Sequence, residues 1–419
     1  MRRLLFPLSS LLSGVGLLVV GVGLLFSVLG LRAGAANFSG VVTGLIMSAY
    51  FAGYVAGTFV CPLIIRRVGH IRAFAAMASI ASTMPILHAL WLNPWFWGGL
   101  RLITGMCLVG LYIVIESWLN ELAPNHQRGK VFAIYMSVNF VALALGQWLI
   151  LVGDRQGFFS FALVSVLFSF ALLPITLLQV SEPKPVATPR LGLRALYAIS
   201  PLGVVAAVSS GLLNGAFYGM GASYAQGVGL STAGVAAFMA VTILGGALFQ
   251  WPVGHFSDRH DRRLVMLWVC IGSAALAGAG FFLSRGSELS LIALGAVYGG
   301  LVFTLYGLGV AHVNDVIDSS TLLEVTGGLL LMHGIGAAVG PTLAGVLMDA
   351  LGAESLMLFF ALVLGLFALF IANRMKFFPA IPESAQADYV VMSSSSPVVL
   401  QMDPRAIVEE DGSEPARSD

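Results

Sequence analysis

Residues 254–263 read Gly254-His255-Phe256-Ser257-Asp258-Arg259-His260-Asp261-Arg262-Arg263, a charged loop between two long apolar stretches. A second basic loop, Arg66-Arg67-Val68-Gly69-His70-Ile71-Arg72, also lies between apolar stretches, in the first half of the chain. Long apolar stretches joined by short loops are typical of a polytopic membrane protein, because one helical crossing of the bilayer needs about 20 apolar residues. Since loops rich in Lys and Arg stay cytoplasmic, both loops are predicted to lie on the cytoplasmic side.

The two halves of the chain are predicted to be repeats. A shift of 192 residues aligns the two basic loops and places Gly53 on Gly245. A shift of 190 residues places Gly105 on Gly295. Parallel six-helix repeats are found in secondary transporters whose halves rock about a site near the middle of the membrane.

The composition agrees with a membrane protein. Apolar residues make up 58% of the 419 residues and charged residues only 10%, and the mean hydropathy is +0.92. Soluble domains are about half apolar and a quarter charged. The balance of 21 basic and 20 acidic residues argues against nucleic acid as a partner, and three Cys are too few for a disulfide scaffold.

Twelve apolar stretches are long enough to cross the bilayer as helices. They are continuous, whereas strands of a membrane barrel alternate over about ten residues. The predicted fold is an all-α membrane protein with twelve transmembrane helices in two pseudo-symmetric six-helix bundles. The predicted spans, numbered 1 to 12, cover residues 8–30, 38–65, 71–92, 95–119, 131–152, 158–180, 199–222, 231–256, 264–284, 289–312, 325–348 and 353–373.

Basic residues in the loops predict the orientation. Loops and termini on one side hold 17 of the 21 Lys and Arg residues, and those on the other side hold only Arg32, Arg155 and Arg285. Because cytoplasmic loops carry the excess of basic residues, both termini are predicted to be cytoplasmic. The protein is therefore expected to be a multi-pass protein of the cytoplasmic membrane, surrounded by lipid.

Changes in composition divide the chain into four parts. Residues 1–180 and 199–376 are the two predicted bundles, and the Pro-rich residues 181–198 are a predicted cytoplasmic linker. The remaining residues, 377–419, are predicted to be a disordered cytoplasmic tail. Between Glu383 and the C-terminus this tail has eight acidic and two basic residues. A tail that binds a partner is the alternative.

Four stretches of the chain resemble motifs of the major facilitator superfamily. The loop at 254–263 resembles G-x-x-x-D-R-x-G-R-R with Asp261 in place of the second Gly, and its first-half copy is degenerate, with Pro62 and Arg66 at the first Gly and the Asp. Two others resemble helix motifs: Arg101-Leu102-Ile103-Thr104-Gly105 and Gly336-Ala337-Ala338-Val339-Gly340-Pro341. The stretches closest to the YcaD-type branch are Val114-Ile115-Glu116-Ser117, Arg128-Gly129 and Gln250-Trp251-Pro252-Val253-Gly254. The resemblance covers about residues 8–376 and implies two bundles that rock to move a small molecule.

Arg101 is the one basic residue deep within a predicted span. A charge at that depth is costly and normally faces a polar cavity or a partner. The resemblance implies that spans 1, 4, 7 and 10 surround the central cavity, so Arg101 on span 4 is predicted to bind an anionic group of the substrate or to take part in proton coupling. An Arg that extends to the membrane surface is the alternative.

Charged residues at the cytoplasmic ends of the spans are predicted to form a gate. The resemblance implies that an acid at the end of span 4, here Glu116, pairs with the basic loop and locks that side. Its predicted partners are Arg66, Arg67 and Arg72. The predicted gate residues of the second half are Asp258, Arg259 and Arg262. The alternative for Glu116 is an ordinary surface pair worth less than about 1 kcal/mol.

Polar side chains on spans 7, 10 and 11 are candidates for the substrate and proton pathway. They are Asn214, Tyr218, Tyr298, Tyr306 and His333. Few polar groups among aromatic walls suit an amphipathic substrate. Because no Asp or Glu lies in the middle of a span, His333 is the candidate proton carrier; a neutral, hydrogen-bonded His is the alternative.

Motifs of other chemistry are missing from the sequence. It contains neither G-x-S-x-G nor G-x-x-x-x-G-K-[ST], and its Cys residues lack zinc spacing, so no catalytic site, cofactor or metal is predicted. The predicted function is secondary transport of a small organic molecule by alternating access, by a monomer. We expect proton coupling and favour export. The alternatives are an uptake facilitator, a non-transporting membrane sensor and a membrane-embedded enzyme.

Overall fold

The computed structural model describes residues 2–123, 127–152, 158–176, 192–284, 286–318 and 321–377, and in the C-terminal region residues 382, 386–387, 389–391 and 395–402. Within these residues, twelve helical spans are long and apolar enough to cross a membrane, which confirms the predicted number. Residues 181–191 of the predicted linker lie outside the described residues, whereas residues 193–198 of the linker are helical.

The helices follow the predicted spans closely. They are α1 (Arg2–Ala35), α2 (Gly40–Val68), α3 (His70–Leu90), α4 (Pro94–Leu122), α5 (Arg128–Trp148), α6 (Phe158–Thr176), α7 (Leu193–Ile199), α8 (Pro201–Gly227), α9 (Thr232–Ser257), α10 (Arg262–Leu283), α11 (Glu288–Val302), α12 (Leu305–Asn314), α13 (Leu322–Leu351) and α14 (Ser355–Phe377). The short helix α7 precedes the second bundle. Helices α11 and α12 form one span that is interrupted at Phe303 and Thr304.

Capping residues show where several spans begin. The Ser39 hydroxyl accepts a hydrogen bond from the backbone N–H of Val42 at the start of α2, and Ser231 accepts one from Gly234 at the start of α9. Such caps satisfy backbone donors that have no partner within the helix. Ser39 and Ser231 are 192 residues apart, so the predicted shift relates the helix starts as well as the loops.

The two bundles pack their helices in the same order. In the first half α2 packs on α4, α1 on α5 and α3 on α6, and in the second half α9 packs on α11, α8 on α13 and α10 on α14. A Cβ atom at Gly53 would collide with the carbonyl of Leu102, and one at Gly245 with the carbonyl of Ala296. These aligned glycines let the helix backbones touch, so the repeat lies in the packing as well as in the sequence.

The outer surface of the bundles is apolar and rich in aromatic residues. Leu248, Trp251, Trp268 and Phe282 on α9 and α10 are each at least 70% exposed. A large exposed apolar belt marks contact with a membrane. Trp95, 83% exposed at the start of α4, lies where aromatic residues are enriched at the edge of a bilayer.

The halves are joined at one end of the molecule. We call the end with the loops 66–72 and 254–263 the basic side, and the other end the opposite side. At the opposite side α1 packs on α8 and α2 packs on α13. The Asp349 carboxylate accepts hydrogen bonds from the backbone N–H groups of Gly40 and Val41, at 2.5 and 2.8 Å, across the two halves.

Part of the C-terminal region is packed against the bundles. Residues 397–402 form a short 3₁₀ helix that contacts α4, α5 and α13, with Val398 and Leu400 buried. The prediction of a disordered tail therefore does not hold for the described residues of this region. Acidic composition favours solvation, but buried polar partners on the bundles hold these residues.

We expect Gly53→Ala and Gly245→Ala to destabilise the protein to a similar degree. Alanine gains about 1 kcal/mol of helix propensity over glycine, but at these crossings overpacking costs about 1–3 kcal/mol. The measurement is the midpoint of thermal unfolding in detergent.

Gly278→Ala in α10 is the matched control, because a Cβ atom there would meet no atom within 4 Å. Its unfolding midpoint should equal or exceed that of the wild type. Equal midpoints for all three variants would contradict close backbone packing at the two aligned glycines.

Candidate functional site

A central cavity lies between the two halves of the protein. The volume in which the centre of a water molecule can move is about 260 Å³. Its wall comes from α1, α2, α4 and α5 on one side and from α8, α9, α12 and α13 on the other, with Phe303 between α11 and α12. Largely apolar cavities with a few polar groups are typical of sites for small molecules.

The first half supplies an aromatic wall. The Phe26 and Tyr50 rings meet edge to face with their centroids 5.0 Å apart, and Tyr50 and Phe51 meet in the same way at 5.0 Å. Tyr54 and Tyr112 continue the wall. Sequence analysis missed these residues, although Tyr50 and Tyr54 are spaced to share one face of α2.

The second half supplies the polar groups. His333 Nε2 lies 3.2 Å from Asn214 Nδ2, and the His333 ring packs against Tyr306 with centroids 4.9 Å apart. Within the described residues, Asn214 Oδ1 and the Tyr306 hydroxyl have no hydrogen-bond partner. Tyr218 stacks on Phe303 beside them. Four of the six predicted pathway residues, Asn214, Tyr218, Tyr306 and His333, therefore lie together at the cavity wall.

Tyr298 lies elsewhere, so the structure does not place it at the cavity as predicted. Its ring stacks on Phe360 of α14, with centroids 5.2 Å apart. At 3.6 residues per turn, eight positions rotate a side chain by about 80°, so Tyr298 and Tyr306 point in different directions even along a continuous helix.

Arg101 is buried behind the aromatic wall. Only 1% of it is exposed, and its guanidinium carbon lies 4.6 Å from the Phe26 ring centroid and 4.3 Å from that of Tyr50. Arg101 is not among the residues that line the cavity, so the structure does not place it where the prediction of direct substrate contact requires. Burial also argues against an Arg that extends to the membrane surface. Cation–π contacts stabilise the charge at this position.

Glu116 is completely buried, and its partners differ from those predicted. The Tyr135 hydroxyl donates a hydrogen bond of 2.5 Å to Glu116 Oε1. The Ser395 hydroxyl donates to Oε1 and the Ser396 hydroxyl to Oε2. The predicted partners are exposed at the basic side: Arg66, Arg67 and Arg72. A buried carboxylate needs donors in the interior, and hydroxyl groups supply them here.

The second-half loop forms a buried ionic network. Arg262 Nη2 lies 3.0 Å from Asp258 Oδ1, and Arg262 Nε lies 2.8 Å from Asp315 Oδ2 at the end of α12. The structure brings Asp258 and Arg262, two of the predicted gate residues, into contact. Arg259, the third predicted gate residue of this half, is exposed.

Asp261 replaces the motif glycine and caps α10. Its Oδ1 accepts a hydrogen bond from the backbone N–H of Arg263 at 3.0 Å, and its Oδ2 lies 2.8 Å from Arg263 Nη2. Burial raises the pKa of Asp261, but the hydrogen bonds from Arg263 outweigh burial and hold the pKa below its ordinary value. The carboxylate therefore stays charged at the helix start, where the helix dipole favours a negative charge.

Amides in the spans divide into two groups. Gln147 accepts a hydrogen bond from the Ser27 hydroxyl and donates one to the carbonyl of Gly23, so it joins α5 to α1. Asn139 and Gln250 line the cavity. Among the described residues, no group of three or more His, Cys, Asp or Glu side chains is placed to hold a metal ion.

The chain is similar to known membrane transporters. A family model described as Major Facilitator Superfamily matches residues 11–245 and 199–391. The MFS-type transporter YcaD is 27% identical over 345 residues in both Salmonella typhi and Salmonella newport (strain SL254), covering 82% of this chain and 89% of the relative.

Solved structures share the fold at low identity. The nucleoside transporter NupG has a TM-score of 0.72 at 16% identity and covers 88% of this chain and 100% of its own. The D-xylose-proton symporter has a TM-score of 0.71 at 13% identity, covering 90% and 98%. A bacterial homolog of the human lysosomal transporter Spinster, solved inward-facing and unoccupied, has a TM-score of 0.69 at 15% identity, covering 88% and 95%.

These matches confirm the family resemblance drawn from the loop and helix motifs, including the similarity to YcaD. They also agree with the absence of catalytic motifs from the sequence. The chain belongs to the major facilitator superfamily and is a membrane transporter, not an enzyme.

Proposed function

We propose that the protein is a secondary transporter that carries a small amphipathic organic molecule by alternating access. The observation that carries this proposal is the central cavity, which lies between two repeated bundles joined at the opposite side. A site between two such bundles is exposed to each side in turn when the bundles rock.

The lining of the cavity supports an uncharged or weakly polar substrate. No Lys, Arg, Asp or Glu is found among the described residues that line it. Asn214 and Tyr306 offer unpartnered polar atoms, while Phe26 and Phe51 offer aromatic surface. Arg101 then serves as a positioning residue, because its charge lies behind the rings of Phe26 and Tyr50 and fixes their orientation.

Contacts between the two halves at the opposite side form a closed gate in the conformation of this structure. Asp349 caps the start of α2, and the hydroxyls of Ser48 and Thr342 lie 2.8 Å apart across the halves. A Cβ atom at Gly44 would collide with the carbonyl of Pro341, so α2 and α13 approach closely. Few polar contacts join the small residues here, which favours a gate that can separate.

The excess of basic residues in the loops supports a basic side that faces the cytoplasm, with the protein in the cytoplasmic membrane. A single copy of the chain contains both bundles and the cavity between them, so we propose that it works as a monomer. In that orientation the gate opposite the cytoplasm is closed. Proton coupling is assigned to His333, which is hydrogen-bonded to Asn214 in the cavity. We favour export because most of the described lining residues are aromatic or aliphatic, with amide side chains at Asn139, Asn214 and Gln250.

Purified protein in liposomes should catalyse counterflow of amphipathic compounds, and an imposed pH gradient should drive their accumulation. His333→Gln should retain counterflow but lose the response to the pH gradient. Equal accumulation by His333→Gln and the wild type would remove His333 from the coupling. The transport proposal would fail if folded protein, both full-length and lacking residues 395–419, moved no compound of a broad library.

Tyr306→Phe should raise the KM for transport about two- to tenfold, because it removes one hydrogen-bonding group worth about 0.5–1.5 kcal/mol. Tyr298→Phe makes the same chemical change outside the cavity and should leave KM unchanged. The measurement is the concentration dependence of counterflow. An equal change in both variants would contradict the assignment of Tyr306 to the site.

Asp349→Asn should open the opposite side more often. The loss of a negative charge at the start of a helix costs about 0.3–1 kcal/mol, which shifts the population of the closed gate a few-fold. The measurement is the labelling rate of a cysteine at Thr43 by a water-soluble maleimide. Asp318→Asn, at an exposed site on the basic side, is the control. Unchanged labelling in Asp349→Asn would show that this contact does not hold the gate.

A further inference from the structure

The C-terminal region of the protein reaches the mouth of the central cavity. We call residues 395–402 the plug. Ser395 and Pro397 line the cavity together with residues of both halves. The plug contacts the ends of α4, α5 and α13 that lie at the basic side. Residues of one short segment therefore stand between the two bundles where the cavity would open.

The plug is anchored by a buried carboxylate. Glu116 accepts hydrogen bonds from the hydroxyls of Ser395 and Ser396, one at each carboxylate oxygen. None of the Glu116 surface is exposed. Hydrogen bonds to an ionised group are about twice as strong as neutral ones, so the two hydroxyls give Glu116 a specific role as the receptor of the plug.

Apolar contacts and a tyrosine complete the binding of the plug. Val398 and Leu400 are 2% and 1% exposed and belong to an apolar cluster that contains residues of both halves. The Tyr54 hydroxyl donates a hydrogen bond to the carbonyl of Ser395. Because Tyr54 also lines the cavity, the plug and the cavity share one wall.

Residues upstream of the plug bind the second-half loop. The Tyr389 backbone N–H donates to Asp258 Oδ1 at 2.8 Å, and its hydroxyl donates to Gln250 Oε1 at 2.7 Å. The Ala387 backbone N–H donates to Asp315 Oδ1 at 2.9 Å, and its carbonyl accepts from Arg262. The tail therefore uses the same acids and arginine that join α10 to α12.

We propose that the plug, together with Ala387 and Tyr389, is an autoinhibitory wedge: the contacts of Ala387 and Tyr389 tie the tail to the second half, and the plug at Glu116 keeps the basic-side ends of the two halves apart and blocks the cavity. Alternating access requires those ends to approach each other, so a segment packed between α4 and α13 prevents that step. The effect on transport rests on the proposed function. The blocking of the cavity by the plug does not depend on the proposed function, so it can be tested without a substrate.

The test measures how fast a water-soluble maleimide labels a cysteine placed in the cavity. In a chain with Cys61, Cys107 and Cys270 replaced by Ala, Thr58→Cys provides a cavity thiol. Deletion of residues 395–419 should raise the labelling rate of purified protein in nanodiscs. We expect at least a roughly tenfold increase, the change that corresponds to losing one hydrogen bond to a charged group.

A full-length variant covers the case in which the deletion does not fold. Ser395→Asp with Ser396→Asp places two carboxylates against Glu116 and should release the plug, with the same rise in labelling. Ser395→Ala with Ser396→Ala should give a smaller rise. As a matched control, Asp318→Cys, at an exposed loop position on the basic side, should be labelled at one rate in all of these backgrounds.

Labelling of Thr58→Cys that is equally fast with and without the plug would overturn the proposal. The same holds if the Asp variant is labelled as slowly as the wild type while its unfolding midpoint is unchanged. Faster labelling of the cavity without any measurable transport would support the wedge and count against the proposed function, so the two failures are distinguishable.

Discussion

Close contact between helix backbones is the constraint on which the rest of the structure depends. In lipid, helices gain little from burying apolar surface against each other, so packing relies on backbones that can touch. Gly53 against Leu102 and Gly245 against Ala296 provide that contact in the two halves. The aligned crossings fix α2 on α4 and α9 on α11, and residues of α2 between Tyr50 and Phe59 line the cavity.

The buried charges of the protein show three ways of stabilising an ion in an apolar interior. Arg101 is placed against the faces of two aromatic rings. Arg262 lies between the carboxylates of Asp258 and Asp315. Glu116 accepts hydrogen bonds from hydroxyl groups. Removing the partner of a buried charge is costly, so each of these residues ties a distant part of the chain to its helix.

The repeated halves have taken on different chemistry. The first half lines the cavity mainly with aromatic rings, and the second half provides Asn214, Tyr306 and His333. The loop of the second half keeps the ionic network around Arg262, whereas Arg66 stands where the corresponding acid would be in the first half. Near the end of α4 in that half, residues of the tail bind Glu116 instead.

Sequence by itself determined the class of the protein and most of its helices. A continuous apolar stretch of about 20 residues crosses a bilayer as an α-helix, because a helix pairs all its backbone groups within the segment. A shift of 192 residues along the chain is enough to relate Gly53 to Gly245. The position of Asn214 and Tyr218 on one face also follows from helical spacing. The helices, the aligned glycines and the shared helix face depend on local chemistry or on a repeat that can be seen directly in the sequence.

Only the tertiary structure decided which polar residues meet. Tyr298 is a polar residue on the same span as Tyr306, but it stacks on Phe360 of α14 and not on the cavity wall. The family resemblance implies that Glu116 pairs with arginines of the first basic loop. In the structure it accepts hydrogen bonds from the hydroxyls of Ser395 and Ser396, which are 279 and 280 residues away in the chain. Contacts between distant segments depend on how helices cross and where a tail returns, and neither is encoded in local spacing.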